Sequence, residues 1–184
     1  VAAACQKTSQ QSTGAACSFQ VVGPPGTGKT YHTGEKTEEI LRLSPDTSIL
    51  LTAKNNEAVN VLIDEIAPRL PAAGIYDAVH LQSHAWGRSA QNKGSPGVIT
   101  LEADQFSEYL HQGNPPPRVV FATTGILRQN LPTVKRDFDI VFCDEASLES
   151  ENLDAILSNY SSLIVKIGDP YQLPEYQIRL KRPL

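Results

Sequence analysis

The chain has 184 residues, 40% of them hydrophobic and 20% charged, with a formal net charge of −4. That length suits one domain with a sizeable core, and no apolar run approaches a membrane span. The mildly acidic balance excludes a strongly basic domain, although local charge can differ from the total, so a role with nucleic acid has to be read from motifs and not from bulk charge.

Three widely spaced cysteines, Cys5, Cys17 and Cys143, form no disulfide framework and fit a reducing setting, so an intracellular location (cytoplasmic or nuclear) is expected. The N-terminus lacks a basic region followed by a long apolar stretch, so it does not read as a secretion signal. Methionine is absent, even at position 1, and the chain reads as a piece of a longer polypeptide.

Residues 1–18, rich in Ala, Gln, Ser and Thr, read as a weak helix or a disordered lead-in to a domain over 19–184. Phe19-Gln20-Val21-Val22 reads as a short buried strand. It runs into Gly23-Pro24-Pro25-Gly26-Thr27-Gly28-Lys29-Thr30, which fits the phosphate-loop pattern G-x-x-x-x-G-K-[ST]. Glycines let such a loop wrap an anion so that several N–H groups point inward, and the helix that follows adds the positive end of its dipole. In this pattern Lys29 reaches the β- and γ-phosphates of a nucleotide, and the Thr30 hydroxyl holds magnesium.

Ser48 to Ala53 reads as a second strand, and Asn56 to Leu70 as a helix with Ala58, Val59, Leu62, Ile63 and Ile66 at helical spacing, ended with the help of Pro68 and Pro71. Residues 71–117 form an irregular insertion rich in Gly, Pro, Ser and Asn. Tyr76 to Leu81 is a candidate strand within it, 86–98 a loop and Leu101 to His111 a short helix. His80 and His84, four apart, could share a helix face as metal ligands. No glutamate lies between them and no third ligand is evident, so surface or packing histidines are the favoured reading. Arg118 to Thr123, Asp139 to Asp144 and Ser162 to Gly168 are further strands. Near-continuous apolar runs alternating with helical stretches define an α/β fold, a parallel sheet covered by helices on both faces.

A second motif, Asp144-Glu145-Ala146-Ser147, follows the apolar run Ile140 to Cys143, so both carboxylates emerge at a strand's C-terminal end, where open α/β sheets bind ligands. Asp144 would complete the magnesium shell begun by Thr30, and Glu145 would orient and deprotonate the water that attacks the γ-phosphorus. A third motif, Gly168-Asp169-Pro170-Tyr171-Gln172-Leu173-Pro174, follows the last strand.

These three motifs, in this order, resemble motifs I, II and III of superfamily 1 helicases. The first is most similar to that of the branch holding the nonsense-mediated-decay RNA helicase and its relatives, and of some viral superfamily 1 helicases. Leu50 to Val59 resembles motif Ia, and Val120 to Thr124 the next nucleic-acid-binding motif; the resemblance spans about Phe19 to Pro174. It implies the first RecA-like domain of an ATP-dependent RNA or DNA helicase, with ATP and magnesium as cofactors. Gly23, Pro24, Pro25, Gly26, Thr27, Gly28, Lys29 and Thr30 would cradle the nucleotide. Asp144 would hold the metal, Glu145 would be the base, Gln172 would sense the γ-phosphate and Asp169 would support that loop. Lys54, Asn55, Asn56, Thr123 and Thr124 would lie near single-stranded RNA or DNA, mainly at its sugar-phosphate backbone; capping of the next helix is the local alternative for the two threonines. The resemblance further implies that the strand leading to Gly168 lies between the strands leading to Gly23 and to Asp144.

Such helicases need a second RecA-like domain, which is absent from this chain, as the partner that supplies arginines; alone, this piece is expected to be weakly active. The adenine-reading glutamine of the family has three candidates here, Gln6, Gln10 and Gln11. Two other classes compete. One is another phosphate-loop enzyme, although the Asn-Lys-x-Asp guanine reader of a GTPase is missing. The other is a nucleotide-gated scaffold without catalysis, against which the intact Lys29, Thr30, Asp144, Glu145 and Gln172 argue.

Overall fold

The computed structural model describes residues 16–83, 97–102, 105–129, 137–148 and 152–169. Among the described residues, seven strands and five helices follow in the order β1 (Cys17–Val22), α1 (Lys29–Leu43), β2 (Ile49–Ala53), α2 (Asn56–Ile66), β3 (Ala78–Gln82), β4 (Val98–Glu102), α3 (Gln105–His111), β5 (Val119–Thr123), α4 (Thr124–Arg128), β6 (Ile140–Cys143), α5 (Leu153–Leu157) and β7 (Leu163–Gly168). The strands form one sheet in the order β1-β7-β6-β2-β5-β3-β4, and every neighbouring pair is parallel. β7 lies between β1 and β6, as the helicase resemblance implied.

Alternation along the strands divides the core into two layers. Ile49, Leu51 and Phe121 face Leu41 of α1 and Val59, Leu62 and Ile66 of α2. Leu50, Val120 and Val141 face Phe106 of α3, Ile126 and Leu127 of α4 and Leu157 and Tyr160 at the end of α5. A parallel sheet needs both faces covered, because each strand is apolar on both sides. The Tyr160 hydroxyl, buried in this core, donates to the Leu127 carbonyl at 2.8 Å and so satisfies its polar end.

The reading of Phe19 to Val22 as a buried strand is corrected. β1 forms, but every residue in it is exposed; Phe19, Val21 and Val22 are 39%, 47% and 55% accessible. Among the described residues β1 pairs with β7 alone, at one edge of the sheet. The candidate strand at Tyr76 to Leu81 forms as β3. The predicted helix over Leu101 to His111 starts later, at Gln105, because Val98 to Glu102 pair with β3 as the other edge strand. The stretch 71–117 thus contributes two strands to the sheet. α2 gives way at Ala67 to a 3₁₀ turn through Ala73 that carries Pro68 and Pro71. The turn closes at Gly74, whose N–H bonds the Leu70 and Pro71 carbonyls. His80 sits on β3, buried and not on a helix, and His84 lies outside the described residues. No cluster of His, Cys, Asp and Glu suited to a metal occurs among the described residues, and no helix there is long and apolar enough to cross a membrane.

Candidate functional site

β1 and β2 are consecutive strands, yet β7 and β6 stand between them in the sheet. The loop after β1, the turn after β6 and the segment after β7 therefore meet at the carboxyl edge, the crevice where such sheets bind ligands.

The loop from Gly23 to Gly28 turns through left-handed backbone at Gly26 (φ 76°) and Gly28 (φ 74°), conformations open to glycine and strained for most other residues. Gly28 is the N-cap of α1, which makes Lys29 and Thr30 its first two residues. Thr27 Oγ1 donates to the Pro24 carbonyl at 2.9 Å. The Lys29 ammonium donates to the carbonyls of Gly23 at 2.8 Å and Pro24 at 2.9 Å. The lysine thus lies folded across the mouth of its own loop, with its charge held where an anion would arrive. Pro25 is exposed in the same turn. A cavity of about 470 Å³ undercuts the loop beside Lys29, with Val21, Phe142 and Ile167 among its walls. Those walls are apolar and unsuited to phosphate, so the polar chemistry belongs to the rim above them.

There the first and second motifs meet. Thr30 Oγ1 donates to Asp144 Oδ2 at 2.9 Å, although 114 residues separate them. Asp144 is 7% accessible; its other oxygen accepts the Glu145 N–H at 2.9 Å, and its own N–H continues the β2–β6 ladder by donating to the Thr52 carbonyl at 2.9 Å. A hydroxyl and a carboxylate converging beside an anion loop form an oxygen donor set that fits magnesium, a hard ion that keeps most of its shell for water and phosphate.

Glu145 stands next in line with φ 53°, the one positive φ outside glycine among the described residues. Such strain persists where surrounding structure imposes it, and it concentrates at functional sites. Burial first, and the Asp144 charge second, push the Glu145 carboxyl above its ordinary value, while Lys54 pulls it back. A carboxylate raised in this way is a better proton acceptor.

The third motif joins the same centre. A Cβ on Gly168 would lie 2.7 Å from Ser147 Oγ and 3.0 Å from Ser147 N, so only glycine fits against the turn after β6. Ser147 Oγ accepts the Asp169 N–H at 3.0 Å, and the Gly23 N–H donates to the Gly168 carbonyl at 3.2 Å. Asp169 is buried at this junction. Gln172 and the possible adenine readers Gln6, Gln10 and Gln11 lie outside the described residues.

The residues assigned to nucleic acid divide by burial. Lys54 is half-buried, just past β2. The Asn55 side chain caps α2, its Oδ1 accepting the Ala58 N–H at 2.8 Å, and Asn56 opens that helix. Thr123 caps α4 through its hydroxyl, which accepts the Ile126 N–H at 3.3 Å. Thr123 and Thr124 are both buried, so the local capping alternative describes Thr123 as it stands. Two features went unassigned in the sequence: Ser147 as the clasp between second and third motifs, and Lys54 as a neighbour of Glu145. Ser147 was visible as a motif residue, but its partner across the sheet was not.

This fold and this site define a phosphate-loop domain of RecA-like architecture. The chain belongs to the AAA domain family, whose model matches residues 6–177. It is 26% identical over 157 residues to the DNA replication ATP-dependent helicase/nuclease DNA2 of Saccharomyces cerevisiae, which covers 84% of this chain and 10% of that protein. The chain thus spans about a tenth of the curated relative's length. Two solved structures share its fold with a TM-score of 0.52 each. One is a nuclease-deletion mutant of the Type ISP restriction-modification enzyme LlaGI in complex with a DNA substrate mimic, 16% identical, with 81% of this chain and 15% of that one covered. The other is an arterivirus nonstructural protein 10 (helicase) with DNA, 19% identical, with 88% and 31% covered. The expected α/β, RecA-like architecture agrees with these likenesses, and the family is the AAA domain family.

Proposed function

We propose that this domain is the first RecA-like half of a helicase motor that binds ATP with magnesium on the loop from Gly23 to Thr30 and hydrolyses it when single-stranded nucleic acid is bound. The observation that carries the reading is the 2.9 Å contact of Thr30 with Asp144, beside the strained Glu145 and above the loop that holds Lys29. The arriving polyphosphate takes the Lys29 ammonium over from the Gly23 and Pro24 carbonyls, exchanging neutral acceptors for charged ones. Thr30 and Asp144 would hold magnesium, which when bound neutralises phosphate charge. Glu145 accepts a proton from the attacking water and aims it at the γ-phosphorus. Gln172 reads the γ-phosphate, and Asp169, held by Ser147, supports that segment.

Lys54 and the helix start at Asn55 and Asn56 meet the sugar-phosphate backbone, with the buried Thr123 and Thr124 shaping the neighbouring helix start, which explains how an acidic domain holds a polyanion. RNA and DNA are both candidate strands. A second RecA-like domain is the partner that completes the site with arginine, and residues 19–184 form one unit that docks against it. The test is Glu145→Gln in the full-length protein. ATP binding measured by calorimetry is expected to persist, while phosphate release falls by about 10²–10⁴-fold with oligo-dT or oligo-U present. Normal turnover would move the base elsewhere, and absence of stimulation by either strand would leave a nucleotide-binding scaffold.

A further inference from the structure

We infer that Ser147 is a positioning residue for hydrolysis: seated on the end of β7, it fixes the turn that carries Glu145 at a set height over the phosphate loop. This rests on the function proposed above and adds to it a residue that acts through the base.

The base follows β6 and the phosphate loop follows β1, yet these strands are not neighbours; β7 stands between them. The two ladders on β7 differ in length. The one with β1 runs on to Val22 and Gly168, whereas the one with β6 stops at Cys143 and Lys166. Asp144 then turns its N–H to the Thr52 carbonyl of β2, away from β7. Past that point Ser147 takes the place of a strand partner for β7. A Cβ on Gly168 would stand 2.7 Å from Ser147 Oγ, 3.0 Å from its N and 3.3 Å from its Cβ, so backbone and side chain of Ser147 both lie against the Gly168 backbone. Its Oγ accepts the Asp169 N–H at 3.0 Å, an ordinary length for such a bond. On its other flank the Gly168 carbonyl accepts the N–H of Gly23, the first residue of the phosphate loop.

Glu145 lies between two anchors. Before it, Asp144 Oδ1 accepts its N–H at 2.9 Å; after it, the 3₁₀ turn of Ala146 to Leu148 is pinned to β7 at Ser147. A left-handed residue, here at φ 53°, persists where its surroundings impose that conformation, and these two anchors do so. The line of contacts from Glu145 through Ser147 and Gly168 to Gly23 therefore sets the base against the loop that holds phosphate. A reacting group misplaced by about 1 Å can lose about 10²-fold in rate. Alanine at 147 removes the acceptor for the Asp169 N–H, and a larger side chain would crowd Gly168.

The experiment compares Ser147→Ala with wild type in the full-length protein, with saturating ATP and oligo-dT or oligo-U. Turnover is expected to fall about 10- to 10²-fold, while affinity for a non-hydrolysable ATP analogue changes less than about twofold and the melting temperature stays near wild type. A merely structural role is separated by a double-mutant cycle with Glu145→Gln. In that background Ser147→Ala changes single-turnover hydrolysis by less than about twofold, because its effect runs through the carboxylate. Gly168→Ala presses on the same contact from β7, and its loss combined with that of Ser147→Ala is less than the product of the two. Unchanged turnover in Ser147→Ala overturns the inference. So does an equal loss in the Glu145→Gln background, a fall in ATP affinity and melting temperature alongside turnover, or losses at Ser147 and Gly168 that simply multiply. Glu145→Gln with normal turnover overturns the function proposed above, and this inference with it.

Discussion

In β2 and β5 every residue is buried, whereas in β1, which leads into the phosphate loop, every residue is exposed. The centre of the sheet is filled from both sides, with Leu51 and Phe121 against α1 and α2 and Leu50 and Val120 against α3 and α4. β1 is held instead by its ladder to β7 and by the start of α1. Apolar burial, which supplies most of the folding free energy, is thus concentrated away from the loop, and the loop's backbone is free to be shaped for an anion. Stability and chemistry draw on different strands of one sheet.

The sharpest test of that separation is Lys29→Ala. Binding of a non-hydrolysable ATP analogue is expected to vanish by calorimetry while the melting temperature stays near wild type, because the lysine's bonds among the described residues go to carbonyls of its own loop. Unchanged affinity would remove the site from the loop. At the centre, Phe121→Ala is expected to cost about 3–5 kcal/mol in urea unfolding, against less than about 1 kcal/mol for Val21→Ala on exposed β1. Equal losses would break the comparison.

His80 extends it to pH. It is 2% accessible on β3, its Nε2 has no hydrogen-bond partner among the described residues, and burial pushes its pKa down from 6.5 to about 4. The unfolded chain takes up the proton near 6.5 and the folded one only near 4, so the unfolded state holds more protons in between. Stability is fully present above pH 6.5 and falls as pH drops through that window, by about 3 kcal/mol at its acid end. Replacing His80 with Leu should flatten this part of the stability profile; an unchanged acid slope would assign it to other groups. The smallest expected effect is at the site itself. Glu145→Gly relieves a left-handed backbone and should add about 1 kcal/mol of stability while turnover is lost. A destabilised Gly variant would mean that φ 53° carries no strain.

What the sequence made legible follows from how local each cause is. The loop from Gly23 to Thr30 announces itself because anion binding by backbone needs glycine at fixed spacing, and Gly26 and Gly28 do adopt positive φ. Asp144 was readable because an apolar run placed it at a strand's end, and the capping role of Thr123 because short polar side chains prefer helix starts; the cap that Asn55 makes was not read from the sequence. The exposure of β1 was not readable: Phe19 to Val22 is equally apolar at an edge or in the centre, and strand order decides which. β4 was hidden for a related reason. Val98 to Glu102 is a half-exposed edge strand set in a Gly- and Pro-rich stretch, and its partner β3 gives it meaning only in three dimensions. The fit of Gly168 against Ser147 and the approach of Lys54 to Glu145 depend on strands far apart in the chain.

The pairing of Cys17 with Leu163 carries a consequence for the ribosome. The phosphate loop is made well before β7, yet its floor stays open until β7, the last strand among the described residues, has emerged and slotted in between β1 and β6. Sheet pairings this distant in sequence close late, after more local ones have formed. A nascent chain is therefore unable to grip nucleotide until β7 has been translated, so ligand capture reports a sheet closed through β7 and cannot guide the earlier steps.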